Sequence, residues 1–284
     1  MIKDSLFSRN FSLNIKGKLV ELNSPKIMGI LNATPDSFYK NSRTATETQI
    51  LSNAEKMLKA GATFLDIGGF STRPNAKEVA EEDELNRVIP FIEKLSQTFS
   101  EAYISIDTFR SKVAKEAINA GASIINDVSG GQADEAMFET VTKLKVPYVL
   151  MHMRGTPANM MANTSYENII LEVTKYFVER TSQLKKLGHS DIIIDPGFGF
   201  SKHLAQNYEL LNGLNHLHTV GFPVLVGVSR KSMIYKLLKT TPEKALNGTN
   251  ILNFASLERG ARILRVHDVK EAQETIELFS AIQN

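Results

Sequence analysis

The chain has 284 residues, 42% hydrophobic and 23% charged, which suits one large α/β domain spanning 1–284 with a substantial buried core. Its 33 basic and 31 acidic residues are interspersed rather than gathered into a stripe, which argues against nucleic acid as a partner. With no cysteine, disulfides and thiolate metal sites are excluded. No segment has the roughly 20 apolar residues that span a bilayer, no apolar leader is evident, and a cytoplasmic location is expected.

Residues 11–15 and 18–22 alternate in polarity around Lys16-Gly17, which predicts a short hairpin able to plug one end of a barrel. From about residue 26 the rhythm is strand then helix. Apolar, β-branched runs at 27–32, 63–68, 103–107, 123–127, 147–151, 191–195, 223–228 and 262–266 read as buried parallel strands. Helices are expected over 47–60, 81–98, 111–120, 134–143, 166–187 and 204–217, then a broken stretch over 231–260, and a last helix over 270–282. Gly61, Gly121 and Gly188 each follow a helix, where a left-handed cap is wanted. Eight such units predict a (β/α)8 TIM barrel with its site where strands run out into loops. The alternative is an open doubly wound sheet, whose ligand would sit at one switch point.

Polar residues follow nearly every strand, which favours the barrel. The first such loop reads Asn32-Ala33-Thr34-Pro35-Asp36-Ser37-Phe38, either a capped turn or a binding loop. The second, Gly68 to Pro74, offers glycines, Ser71, Thr72 and Arg73, suited to a phosphate or carboxylate. Asp107 and Asp195 end apolar strands, so each must be paired, solvated or used. Asp66 lies deeper and is expected to hydrogen-bond neighbouring loop backbone. Alternation allows one of Asn126 and Asp127 to face the axis; Asn126 is expected there, with Asp127 capping the turn at Ser129-Gly130-Gly131.

In Asp195-Pro196-Gly197-Phe198-Gly199-Phe200-Ser201-Lys202 the glycines permit a tight reversal and both phenylalanines are expected to flank a ring. Lys231, beside Ser232 after the seventh strand, suits either a Schiff base or hydrogen-bond donation. Arg265 and His267 project the same way and read as an oxyanion clamp, the other reading being a surface salt bridge to Asp268. His152 is expected to line the pocket, and His189, His203, His216 and His218 to be solvated. No spacing suggests a protein-built zinc site; any metal is expected to be Mg2+ held mainly by substrate phosphates.

Five pieces in order, Asn32 to Phe38, Ser71 to Pro74, Asp195 to Phe200, Ser229 to Lys231 and Arg265 to Asp268, closely resemble the dihydropteroate synthase family from about residue 27 to 269. The resemblance implies condensation of 6-hydroxymethyl-7,8-dihydropterin diphosphate with 4-aminobenzoate by an SN1-like displacement. Carried over residue by residue, it gives Asp107, Asn126, Asp195 and Lys231 to the pterin, and Asn32, Arg265 and His267 to the diphosphate, with Asn32 ligating Mg2+. It gives Thr72, Arg73, Pro74, Phe200 and Ser232 to 4-aminobenzoate. Asp107, Lys231, Arg265 and His267 are the implied catalytic set, Asp107 stabilising a pterin cation. A homodimer and sulfonamide binding are implied as well.

Two positions depart from the family pattern: Phe70 stands where glutamate is frequent, and Asn75 where glycine is common. The nearest rival is a pterin-binding methyltransferase barrel using a methylated folate, which needs neither the Ser71 to Pro74 loop nor an anion clamp at Arg265 and His267. A phosphate-handling aldolase would instead use Lys231 as its Schiff-base lysine.

Overall fold

The computed structural model describes residues 10–32, 43–70 and 79–283, side chains at 32 and 43–46 excepted. The hairpin forms from β1 (Ser12–Ile15) and β2 (Lys18–Glu21), antiparallel with Ile15 opposite Lys18. Lys16 and Gly17 both take positive φ, 52° and 76°, the turn geometry whose twist matches that of the strands it joins.

The barrel strands are β3 (Lys26–Asn32), β4 (Phe64–Gly68), β5 (Tyr103–Asp107), β6 (Ile124–Asp127), β7 (Tyr148–Met151), β8 (Ile192–Asp195), β9 (Val224–Val226) and β10 (Ala261–Val266). They pair in parallel in that order, and β10 closes on β3. A doubly wound sheet is thereby ruled out. The helices are α1 (Arg43–Lys59), α2 (Glu81–Thr98), α3 (Ser111–Asn119), α4 (Met137–Leu144), α5 (Ile169–Lys186), α6 (Leu204–Asn212), α7 (Ser232–Tyr235), α8 (Leu246–Glu258) and α9 (Val269–Gln283).

Two expected helices come out shorter for visible reasons. Helix α5 starts late because Asn168 is its cap, accepting from the Leu171 N–H at 3.0 Å. Helix α6 stops at Asn212, before Gly213, and the chain continues as a 3-10 turn over Leu214–Val220. Helix α2 keeps its full expected length despite Pro90, with four acids in its first turn answering the positive end of its dipole.

The core has two layers. Between strands and helices lie residues such as Ile67, Ile106, Val141, Leu150, Phe177 and Leu264. Inside the barrel, Met28, Phe64, Ile124, Val149, Ile193, Leu225 and Ile263 meet Leu13, Ile15 and Leu22 of the hairpin region. The hairpin thus seals the N-terminal end, and the polar chemistry is confined to the other. Among the described residues no helix is long and apolar enough to cross a membrane.

Candidate active site

Strand register brings the polar ends of four strands to one level. Asn32 stands opposite Gly68, Gly68 opposite Asp107, and Asp107 opposite Asn126. Gly68 leaves the space beside Asp107 open: a Cβ built there would lie in ordinary contact, 3.4 Å from the Asp107 Cβ. Arg265 starts lower, paired with Met28 four residues before Asn32, and its long side chain reaches the carboxylates.

The Arg265 guanidinium bridges two acids. Nε donates to Asp66 Oδ2 and one terminal nitrogen to Asp107 Oδ2, both at 2.7 Å. Asn126 Nδ2 donates to the same Asp66 oxygen at 3.0 Å. Asp66 Oδ1 and Asp107 Oδ1 are buried and have no hydrogen-bond partner among the described residues. Burial pushes the Asp107 carboxyl up to about 7; Arg265 opposes the shift and the Asp66 charge adds to it. Asp107 is therefore poised between two charge states near neutral pH, as functional carboxylates are.

This corrects two expectations. Asp66 bonds the Arg265 and Asn126 side chains rather than loop backbone, because it faces the barrel interior instead of the loop. Arg265 and His267 also do not stand as a free pair: Arg265 is drawn inward by the nearest buried anions. His267 is exposed beyond β10, its Nδ1 3.0 Å from Ser229 Oγ. Asp268 does form an ion pair, but with Arg230, which reaches both carboxylate oxygens at 2.8 Å. Asn126 faces inward and Asp127 accepts from the Ser129 and Gly131 N–H groups, as alternation predicts.

Across the mouth, Asp195 Oδ1 accepts from the Gly197 N–H at 2.8 Å. Burial raises its pKa, opposed chiefly by the Lys231 charge. Lys231 sits just before α7, its ammonium donating to the Phe198 carbonyl and lying 4.8 Å from the Phe200 ring centre. Burial pulls the Lys231 pKa down to about 8, while Asp195 and Asp107 both hold it up. Ser232 follows, half-buried, as the first residue of α7.

The two phenylalanines part ways. Phe200 joins Val128, Met151, Met153 and Met160 in an apolar wall, with Phe70 and Phe109 packed against it. Phe198 is fully buried in the layer beneath the helices and cannot flank a ligand. The reversal at 197–201, with positive φ at Gly197, Gly199 and Ser201, turns them to opposite sides. Phe70 stacks edge-on against Phe109 at 5.0 Å. Thr72, Arg73, Pro74 and Asn75 lie outside the described residues, as does the Asn32 side chain.

Sequence reasoning underweighted several groups. Lys202 is buried and makes three short hydrogen bonds. His152 is buried too, but its Nδ1 faces Lys202. Asp66 was legible in principle, since a carboxylate between Leu65 and Ile67 in a buried strand needs partners. His189 and His218 are buried rather than solvated. His218 packs under Gly260, where any side chain would collide with its ring, and Nε2 lies 3.1 Å from the Arg259 carbonyl.

A family model described as "Pterin binding enzyme" matches residues 28–267. The dihydropteroate synthase of Haemophilus influenzae is 41% identical over 274 residues, covering 96% of this chain and 99% of that protein. Among solved structures, a Yersinia pestis dihydropteroate synthase with a sulfonamide drug complex superposes with a TM-score of 0.90 at 40% identity, covering 96% and 99% of the two chains. The Xanthomonas albilineans enzyme with 4-aminobenzoic acid gives 0.90 at 38% identity, covering 97% and 99%. A barrel with buried Asp107, Asn126 and Asp195 and half-buried Lys231 at one mouth, matched along nearly its whole length by such relatives, belongs to the dihydropteroate synthase family of pterin-binding enzymes.

Proposed function

We propose that this chain joins 6-hydroxymethyl-7,8-dihydropterin diphosphate to 4-aminobenzoate, forming 7,8-dihydropteroate and releasing diphosphate. The observation that carries the residue roles is the set of polar groups gathered at the strand ends: Asp107 held by Arg265, Asn126 tied to Asp66, and Asp195 on the loop whose Phe198 carbonyl accepts from Lys231. The 2-amino and N3–H edge of a pterin presents two parallel donors, which an ionised Asp195 accepts. Lys231 donates to ring acceptors, and Asn126 keeps its amide oxygen for the heterocycle while its nitrogen is tied to Asp66.

In the reaction the bond from the pterin methylene carbon to the diphosphate oxygen breaks, and both electrons leave with the diphosphate. The cation left behind is conjugated with the ring and lies near the Asp107 carboxylate, whose negative charge stabilises it. The arylamine nitrogen then attacks and sheds its proton. Arg265 and His267 take up charge developing on the leaving group, Phe200 and Ser232 flank the arylamine, and the resemblance assigns Thr72, Arg73 and Pro74 to it as well. Bound Mg2+ would neutralise diphosphate charge. Asn32, which ends β3 in register with Gly68 and so with Asp107, would give it one oxygen, the substrate phosphates the rest.

The test is to mix the protein with the pterin diphosphate, 4-aminobenzoate and Mg2+. Diphosphate release that requires the arylamine is expected, and a sulfonamide should compete with 4-aminobenzoate. No release with active substrates would sink the proposal. The absence of cysteine suits a reducing cytoplasm as the setting.

We read the assembly as a homodimer built on the C-terminal helices. Phe254 of α8 and Phe279 of α9 pack ring against ring at 5.9 Å, and on the same two helices Ile251, Leu278 and Ile282 are each more than half exposed. That much apolar surface is seldom left to water. Ile251→Glu should shift the protein from dimer to monomer in sedimentation experiments, and a variant that still sediments as a dimer places the interface elsewhere.

A further inference from the structure

The loop that carries Asp195 and Phe200 is held from beneath by a side chain the reaction does not use. Lys202 is 2% exposed. Its amino group donates to the Phe200 carbonyl at 2.9 Å, to the Gly197 carbonyl at 3.0 Å and to His152 Nδ1 at 3.0 Å. Burial pulls the pKa of this group well down, while the Asp195 charge holds it up. Every partner that Nζ reaches belongs to the protein, so direct contact with substrate is ruled out.

The bonds lead straight to the site. Gly197, whose carbonyl Lys202 holds, donates its N–H to Asp195 Oδ1 at 2.8 Å. The His152 N–H donates to the Asp195 carbonyl at 2.9 Å, so the imidazole that faces Lys202 is anchored to the same residue. On the other side, the Gly199 N–H donates to Asn207 Oδ1 at 2.6 Å, and Asn207 Nδ2 donates to the Lys202 carbonyl at 3.1 Å. The loop lies flush on the end of β7: a Cβ at Gly197 would meet the His152 carbonyl oxygen at 2.1 Å. Gly197 and Gly199 take positive φ freely, whereas Ser201, at 47°, keeps a left-handed conformation that its surroundings must enforce.

We propose that Lys202 is a positioning residue, whose buried amino group folds the 195–201 loop around itself and so presets the Asp195 carboxylate and the Phe200 ring for the pterin. The inference rests on the proposed function for the identity of the ligand, but not for the loop geometry. Without that amino group, two inward-facing carbonyls lose their donor and the reversal has no centre to close on. His152 serves as the third acceptor; burial first and then the Lys202 charge keep its imidazole neutral, with Nδ1 accepting.

The experiment compares wild type with Lys202→Met by amide hydrogen exchange and by titration with 6-hydroxymethylpterin diphosphate in the absence of arylamine. Exchange at 197–200 should quicken while β3 to β5 stay protected. The Kd and KM for the pterin should rise roughly tenfold or more, the loss that outer partners of a binding group commonly cause, with kcat changed less. Lys202→Gln, which keeps two N–H donors, should recover part of both. A variant with a lowered Tm but wild-type exchange and wild-type Kd would overturn the inference and leave Lys202 a packing group. If Lys202→Met does not fold, the same two readouts on Lys202→Gln decide, wild-type values again overturning it. A wild-type protein that binds no pterin sinks the function instead, and the exchange comparison still judges the loop.

Discussion

Asp107→Asn is expected to give a folded barrel with turnover reduced by about 10² to 10³, the loss found when one preorganised electrostatic partner of a developing charge is removed. The substitution keeps shape and leaves Arg265 paired with Asp66, so structure is spared. What disappears is the negative charge beside the pterin cation. Since burial holds the Asp107 carboxyl at about 7, the ionised fraction of the free wild-type enzyme grows through neutral pH. Its kcat/KM should therefore climb with a midpoint near that value, and the climb should vanish in the variant. Stability moves oppositely. A carboxyl whose folded pKa exceeds its unfolded one binds more protons when folded, so its contribution is full at acid pH and fades as pH rises toward 7. The Tm of the variant minus that of wild type should accordingly become more positive from about pH 5 to pH 8. Near-normal turnover, or a flat wild-type profile, would remove Asp107 from the role given it.

The barrel was legible because a parallel strand buried on both faces must be apolar and must break at a polar residue. Register then follows from closure, and it set Asn32, Gly68, Asp107 and Asn126 on one level. The site was legible as a set of strand ends but not as a set of partners. A sequence shows that Arg265 and His267 share a direction; it does not show that Asp66, two hundred residues away, captures the guanidinium. Phe198 and Phe200 look equivalent until the positive-φ positions between and after them fix the sense of the reversal. Lys202 read as the polar end of a motif, because nothing local predicts that two carbonyls and an imidazole will close over it. Helix boundaries at α5 and α6 shifted for local reasons, a cap at Asn168 and a break at Gly213.

Arg265→Met is expected to be the most damaging single change in the site, because it leaves Asp66 and Asp107 close together without their shared cation. Arg265 touches both Oδ2 atoms, at 2.6 and 2.7 Å, and neither acid has a second cationic partner among the described ion pairs. Removing one member of a buried charge cluster typically costs about 3–5 kcal/mol, since the charges left behind stay desolvated. The cost should depend on pH in a defined direction. Arg265 holds the Asp107 carboxyl down against burial, so in the variant it rises further and Asp107 takes a proton more readily. Urea unfolding should then show a smaller loss at about pH 5, where protonation relieves the repulsion, than at about pH 8. Asp66→Asn placed in the Arg265→Met background should recover much of the stability by discharging the other acid, a non-additivity expected of groups in direct contact. Activity should not return with it, because Arg265 is also assigned to the departing diphosphate. If the Arg265→Met variant is as stable as wild type at pH 8, the bridge to Asp66 and Asp107 does not govern the site's electrostatics. If stability and turnover recover together in the double variant, Arg265 acts only by balancing the two acids and has no part in the leaving-group step.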